Sequence, residues 1–268
     1  MKSVTVEGRT LAAALKPMLL VIERRNTIPI LSYVALKATS ADLKIAGTDL
    51  DIEASTEIDV IDQSGEFDVC VPARTLFDIA SQAGPATVKL SVSSQKQKTH
   101  DGKDYTAETV EIDVADGDAR YTVHPLPTSD FPWLKPDLKF EPIESFTNGR
   151  LAALLEKVSP CISTEETRYY LNGVCWQIQG GSSRFTSTDG HRLASACYGS
   201  PDDPDAALSV IIPRKTVAVI QALTKGKDVT VAAPAADKVD GGGQLIRSTA
   251  AVIGICHSPL VGPGSYLR

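Results

Sequence analysis

Polar and apolar residues alternate from the start of the chain, and Ser3-Val4-Thr5-Val6 predicts a short strand. Residues 9–24 then place Leu11, Ala14, Leu15, Met18, Leu19 and Ile22 at helical spacing, which predicts an amphipathic helix. Pro17 falls inside that pattern and predicts a kink or a split. Strand-like runs follow at 31–38, 42–46, 51–58 and 65–71. A second helix is expected over 73–83, with Pro72 at its start. Strands are expected at 87–92, 107–114 and 118–123, and the polar stretch 93–106 reads as a long hairpin tip.

The second half repeats the first. Helices are expected at 150–159 and 214–224, and strands at 172–179, 184–187, 192–197, 208–212 and 228–232. Short identities recur at a shared offset. Gly8-Arg9 before Leu11-Ala12-Ala13 matches Gly149-Arg150 before Leu151-Ala152-Ala153. Thr48-Asp49 matches Thr188-Asp189, and Pro72-Ala73-Arg74-Thr75-Leu76 matches Pro213-Arg214-Lys215-Thr216-Val217. We therefore expect an α+β chain of two similar domains, 1–127 and 140–250, each a β-sheet layer carrying two helices. Pro127, Pro132 and Pro136 mark 128–139 as an extended connector, and 251–268 reads as a tail.

Composition narrows the function. The 268 residues are 43% hydrophobic and 22% charged, which is globular. Five scattered cysteines without a C-x-x-C pair exclude a zinc ribbon and argue against a closed disulfide framework. A reducing, cytoplasmic setting is expected. No run is long and apolar enough for a membrane span or a secretory signal.

Charge is sorted along the chain. The net charge of −6 would repel nucleic acid if it were spread evenly. However, the helical segments 9–25, 72–84, 150–162 and 213–227 hold eleven basic and three acidic residues, leaving sixteen basic and thirty acidic elsewhere. Helix propensity favours Glu as much as Lys, so propensity alone does not produce this bias. A basic helical face suits a polyanion.

Several motifs carry a family resemblance. Arg24-Arg25-Asn26-Thr27-Ile28-Pro29-Ile30-Leu31, Gly47-Thr48-Asp49-Leu50-Asp51-Ile52-Glu53 and Val71-Pro72-Ala73-Arg74 resemble first-domain signatures of the bacterial DNA polymerase III beta subunit, the sliding clamp. Arg168-Tyr169-Tyr170-Leu171-Asn172-Gly173-Val174, Thr188-Asp189-Gly190-His191-Arg192-Leu193-Ala194 and Val210-Ile211-Ile212-Pro213-Arg214-Lys215 resemble its second-domain signatures. The resemblance implies the DNA-clamp fold, with helices on the inner face of a homo-oligomeric ring around duplex DNA. It implies a non-catalytic processivity factor for the polymerase III alpha subunit, with the clamp loader and other proteins carrying clamp-binding motifs as partners. The family's third domain is expected to be absent, which leaves a non-ring module or a truncated competitor as the alternative.

By residue matching, DNA contacts are expected at Arg25, Arg74, Arg168, Tyr169, Tyr170, Arg214 and Lys215. Partner peptides are expected at Leu171, Thr188, Gly190, His191, Arg192 and Leu193. The adjacent acids Glu165-Glu166 weigh against tight phosphate contact. Ser187, Asp189 and His191 invite a hydrolytic reading. Residues this close in sequence seldom form a triad, and no G-x-S-x-G elbow is present. No cofactor or metal is expected.

Overall fold

The structure is a computed structural model describing residues 2–23, 27–98, 104–114, 119–133, 140–179, 181–199, 208–234, 254–257 and 266–267. Two compact units divide the chain, one carried by Met1–Leu134 and the other by Lys135–Leu260.

In the first unit β1 (Lys2–Glu7) runs directly into α1 (Gly8–Val21). A meander of β2 (Tyr33–Ala38), β3 (Asp42–Thr48) and β4 (Glu53–Asp59) follows, then β5 (Asp62–Ser64) and β6 (Phe67–Pro72). After α2 (Ala73–Ala83) come β7 (Thr87–Lys98), β8 (Asp104–Val114) and β9 (Ala119–Val123). Antiparallel pairing gives one sheet in the order β4-β3-β2-β6 and another in the order β5-β1-β7-β8-β9. The two helices pack side by side, α1 over β3 and β4, and α2 against β2, β6 and β7. The apolar stripe Leu11, Ala14, Leu15, Met18 and Val21 of α1 is buried.

The second unit contains β10 (Phe140–Phe146), α3 (Arg150–Val158), β11 (Gly173–Gln179), β12 (Ser182–Thr188) and β13 (Leu193–Gly199). It continues with β14 (Leu208–Pro213), α4 (Arg214–Thr224), β15 (Val229–Pro234) and β16 (Gly254–His257). Its sheet β13-β12-β11-β14 repeats the order β4-β3-β2-β6, and the run β10-β15-β16 repeats β1-β7-β8. Even register is preserved. Ala35 opposite Ala46 and Cys70 becomes Cys175 opposite Thr186 and Ile211. The sequence repeat is thus a structural one.

The glycine that begins the first helix of each unit has one tertiary role in both. Gly8 donates its N–H to Ala86 C=O (2.9 Å), and Gly149 donates to Lys227 C=O (2.8 Å). Each is pressed against the end of the second helix. A Cβ on Gly8 would come within 2.8 Å of Ala83 Cβ, and one on Gly149 within 2.4 Å of Gly226 N. Gly149 also sits at φ +67°, in the left-handed region.

The core of the second unit is aromatic, with Trp176 stacked on Phe185 at 5.3 Å and Phe146 beside both. A buried polar chain crosses it. The Trp176 indole N–H donates to Ser183 Oγ (2.6 Å), and the Ser183 hydroxyl donates to Glu144 Oε2 (2.5 Å). Glu144 and Ser183 are fully enclosed.

Several sequence expectations need correction. Pro17 does not split α1, which runs unbroken through it. Ala14, Leu15 and Met18 are all buried around it, and that packing holds the helix together despite the lost N–H. The polar stretch 93–106 is mostly strand, because β7 extends to Lys98 and β8 begins at Asp104. Backbone pairing needs no apolar side chains. The tip, 99–103, lies outside the described residues.

The expected connector, 128–139, is packed along its described part, 128–133. Leu126 exchanges two 2.9 Å backbone hydrogen bonds with Cys70, and Phe131 is buried on the first unit with Trp133 against it. Strand β10, absent from the sequence reading, pairs with β15. Residues 254–257, within the expected tail, pair with β15 on its other side.

Candidate functional site

Each unit carries the same tight turn between its second and third meander strands. In the second unit Thr188 Oγ1 accepts the Gly190 N–H (3.1 Å) and donates to Arg192 C=O (2.7 Å). Asp189 Oδ1 accepts the N–H groups of His191 and Arg192, both at 3.0 Å, and its Oδ2 takes the Arg192 Nε–H at 2.8 Å. The backbone N–H groups of Arg192 and His191, followed by the Arg192 guanidinium, hold the Asp189 carboxyl down at about 2. The first unit repeats this geometry. Thr48 Oγ1 accepts from Leu50 (3.1 Å), and Asp49 Oδ1 accepts from Asp51 and Ile52 (3.0 and 2.7 Å). The residue at the crest has φ +92° in Gly190 and φ +81° in Leu50. The sequence showed Thr-Asp twice, but nothing in it signalled a leucine in a left-handed conformation.

The second turn meets a neighbour. A 3-10 segment, Glu166–Leu171, precedes β11. The Leu171 C=O accepts from Ser163 N–H (3.1 Å), and Arg214 N–H donates to Asn172 C=O (2.9 Å), tying this segment to the start of α4. Arg168 pairs with Glu165 at 3.4 Å and lies over Gly190, so that a Cβ there would be 3.2 Å from its Nη1. Arg168, expected among the DNA contacts, therefore touches a residue expected in the peptide site, and only the tertiary structure shows this.

Of the other expected peptide residues, Leu171 and Thr188 are half-buried, while His191, Arg192 and Leu193 are exposed, Leu193 to 66%. Tyr169 and Tyr170 are 79% and 55% exposed with their rings edge to face at 5.7 Å. Arg214 and Lys215 open α4. Arg74 opens α2 in the first unit, where it pairs with Asp78 at 3.4 Å and lies 5.9 Å from the Phe77 ring. Arg25 lies outside the described residues. Sequence reasoning missed Ile211, an apolar residue 47% exposed on β14.

The four helices together carry Arg9, Lys16, Arg74, Arg150, Lys157, Arg214 and Lys215 against Asp78 and Glu156. Among the described residues, no group of three or more His, Cys, Asp or Glu could hold a metal ion, and no helix is long and apolar enough to cross a membrane.

Two topologically repeated units, each with paired helices that open on basic residues, define a clamp-type α+β repeat protein. Comparison with known proteins agrees. The N-terminal domain of the DNA polymerase III beta subunit matches residues 2–135, and its central domain matches residues 146–241. This chain belongs to the DNA polymerase III beta subunit family.

The beta sliding clamp of Caulobacter vibrioides is 36% identical over 232 residues, covering 85% of this chain and 58% of that protein. The beta sliding clamp of Pseudomonas aeruginosa is 32% identical over 222 residues, covering 81% of this chain and 56% of its own length. Among solved structures, the Caulobacter crescentus beta sliding clamp superposes with a TM-score of 0.79 at 30% identity, over all of this chain and 64% of that one. The Bartonella birtlesii sliding clamp bound to griselimycin gives a TM-score of 0.76 at 28% identity, with the same coverage. The chain spans little more than half the length of these curated relatives.

Proposed function

We propose that this chain is a DNA sliding clamp subunit, a non-catalytic processivity factor that tethers a replicative polymerase to duplex DNA. The observation that carries the reading is the concentration of basic side chains on the paired helices of both units, in a chain of the beta subunit family. Phosphates are the same at every base step, so such a surface holds duplex without reading sequence. Arg25, Arg74, Arg168, Arg214 and Lys215 supply phosphate contacts, and the exposed Tyr169 and Tyr170 lie against the DNA backbone. A closed homo-oligomeric ring would hold DNA by topology, so individually weak contacts suffice and sliding is not blocked.

The turn Thr188–Arg192 with Leu171 and Leu193 receives a short hydrophobic motif from the polymerase III alpha subunit, the clamp loader or other carriers of that motif. Leu193 and Leu171 offer apolar anchorage. Gly190 and His191 leave room for an extended backbone, and the Asp189 bonds keep Arg192 in place. No cofactor is needed for this work, which takes place with the replication machinery in the cytoplasm.

The test is topological. The protein is incubated with a bacterial clamp loader, ATP and nicked circular plasmid, then passed over a sizing column in high salt. Retention on the circle and release after linearisation are expected. Equal retention on both forms, or retention on neither, would overturn the proposal. Light scattering beforehand gives the mass of the assembly that loads.

A further inference from the structure

A cleft of about 430 Å³ opens between the two sheets of the first unit. That volume falls within the range of small-molecule sites, about 300–1,000 Å³. Its walls come from β1, β6, β7 and β8, and every residue that lines it is described.

The alternation along the strands produces the cleft. Val4 of β1, Leu90 and Val92 of β7, and Val110 and Ile112 of β8 share one face of their sheet and are buried. Two residues further along that face, the row turns polar on all three strands. Lys2 stands opposite Val92, and Ser94 stands opposite Glu108. Lys2, Ser94 and Glu108 are exposed. Apolar packing therefore stops at Val92. On the other side β6 contributes the buried Phe67 and Val69, with the exposed Asp68 between them at the rim.

The strands do not need these charges. Ser209 holds the place of Asp68 in the second unit, where β14 pairs in the same register. Among the described residues, no ion pair joins Lys2, Asp68 or Glu108 to a neighbour. One ammonium and two carboxylates thus border a common space over an apolar base of Phe67, Val69 and Val92. A simple anion entering it meets two carboxylates, and a simple cation meets Lys2. A molecule that carries both charges finds a partner at each end. The spacing sets its length. Lys2 and Glu108 are separated by two strand spacings and two residues of rise, about 12 Å between Cα atoms. An extended dipeptide spans about 7 Å, and a charge-assisted hydrogen bond at each end adds about 2.8 Å.

We propose that this cleft binds a small zwitterion with an apolar body, of the dipeptide class. Its carboxylate pairs with Lys2, its ammonium pairs with Glu108 and Asp68, and its apolar side chains rest on Phe67, Val69 and Val92. The inference rests on the first unit alone and is independent of the clamp reading.

The probe is the dipeptide Leu-Phe, titrated into the intact protein by calorimetry beside its N-acetyl form and its C-terminal amide. Saturable binding of the free dipeptide is expected. Each capped form has lost one charge and should bind at least tenfold more weakly. The variants assign the two ends. Lys2→Met should weaken dipeptide binding at least tenfold and remove the preference for the dipeptide over its amide. Glu108→Gln combined with Asp68→Asn should remove the preference over the N-acetyl form. All three residues are exposed, so an unchanged circular dichroism spectrum is expected of each variant. The proposal is overturned by no saturation up to millimolar dipeptide, or by capped forms that bind the parent protein as well as the free dipeptide does. It is equally overturned by variants that bind as the parent does, because the dipeptide would then sit elsewhere on the chain.

Discussion

Ser183 is the centre of the buried polar chain in the second unit, and Ser183→Ala tests whether that chain holds the core together. The hydroxyl accepts from the Trp176 indole and donates to Glu144, at 2.6 and 2.5 Å, and both neighbours are buried. Deletion leaves the indole N–H without its acceptor, at about 1–3 kcal/mol, and takes the Ser183 donor away from the buried Glu144 Oε2, at about 1–3 kcal/mol. Water cannot easily substitute, since all three side chains are shielded from solvent. The expected loss is about 3–5 kcal/mol, a large part of what a domain of this size has to lose. Urea unfolding followed by circular dichroism reads it, since that signal does not depend on either tryptophan. Adding Trp176→Phe removes the stranded donor, so the double variant should lose less than the two single losses combined, by about 1–2 kcal/mol. A loss under about 1 kcal/mol for Ser183→Ala would refute the reasoning, because two buried bonds of this kind cannot both be worth so little.

Three further outcomes follow from the geometry. Asp189 is held at about 2 against an ordinary 3.8, so its turn is fully stabilised above the ordinary value and loses that stabilisation as the pH falls towards 2; Asp189→Asn should flatten the stability profile across that window in pH-dependent melting curves. Leu50 adopts φ +81° where Gly190 does so freely, and Leu50→Gly should raise the stability of the first unit by about 1 kcal/mol in thermal unfolding. Phe131→Ala empties the space it fills beside Ile30, Leu31 and Cys70 and should cost about 3 kcal/mol, while making the buried Cys70 reactive to a thiol reagent that spares it in the parent protein.

The sequence by itself determined the elements whose burial is written locally. Leu11, Ala14, Leu15 and Met18 mark the buried side of α1 because helical spacing puts them on one face whatever lies opposite. The shared offset from Gly8, Thr48 and Pro72 to Gly149, Thr188 and Pro213 marks the repeat without reference to packing. The basic bias of the helices was visible in the same way, since charge adds up along a chain without reference to packing. Tertiary structure alone decided what depends on partners distant in sequence. Glu144 reads as an ordinary strand acid until β12 brings Ser183 to it. Phe131 reads as part of a linker until Cys70 pairs with Leu126 beside it. Arg168 reads as a DNA contact alone until the turn at Gly190 is found beneath it. Pro17 reads as a helix breaker until the sheet and α2 close around its neighbours. In each case a local preference is worth about 1–3 kcal/mol, and contacts made across many residues outweigh it only once the fold has assembled them.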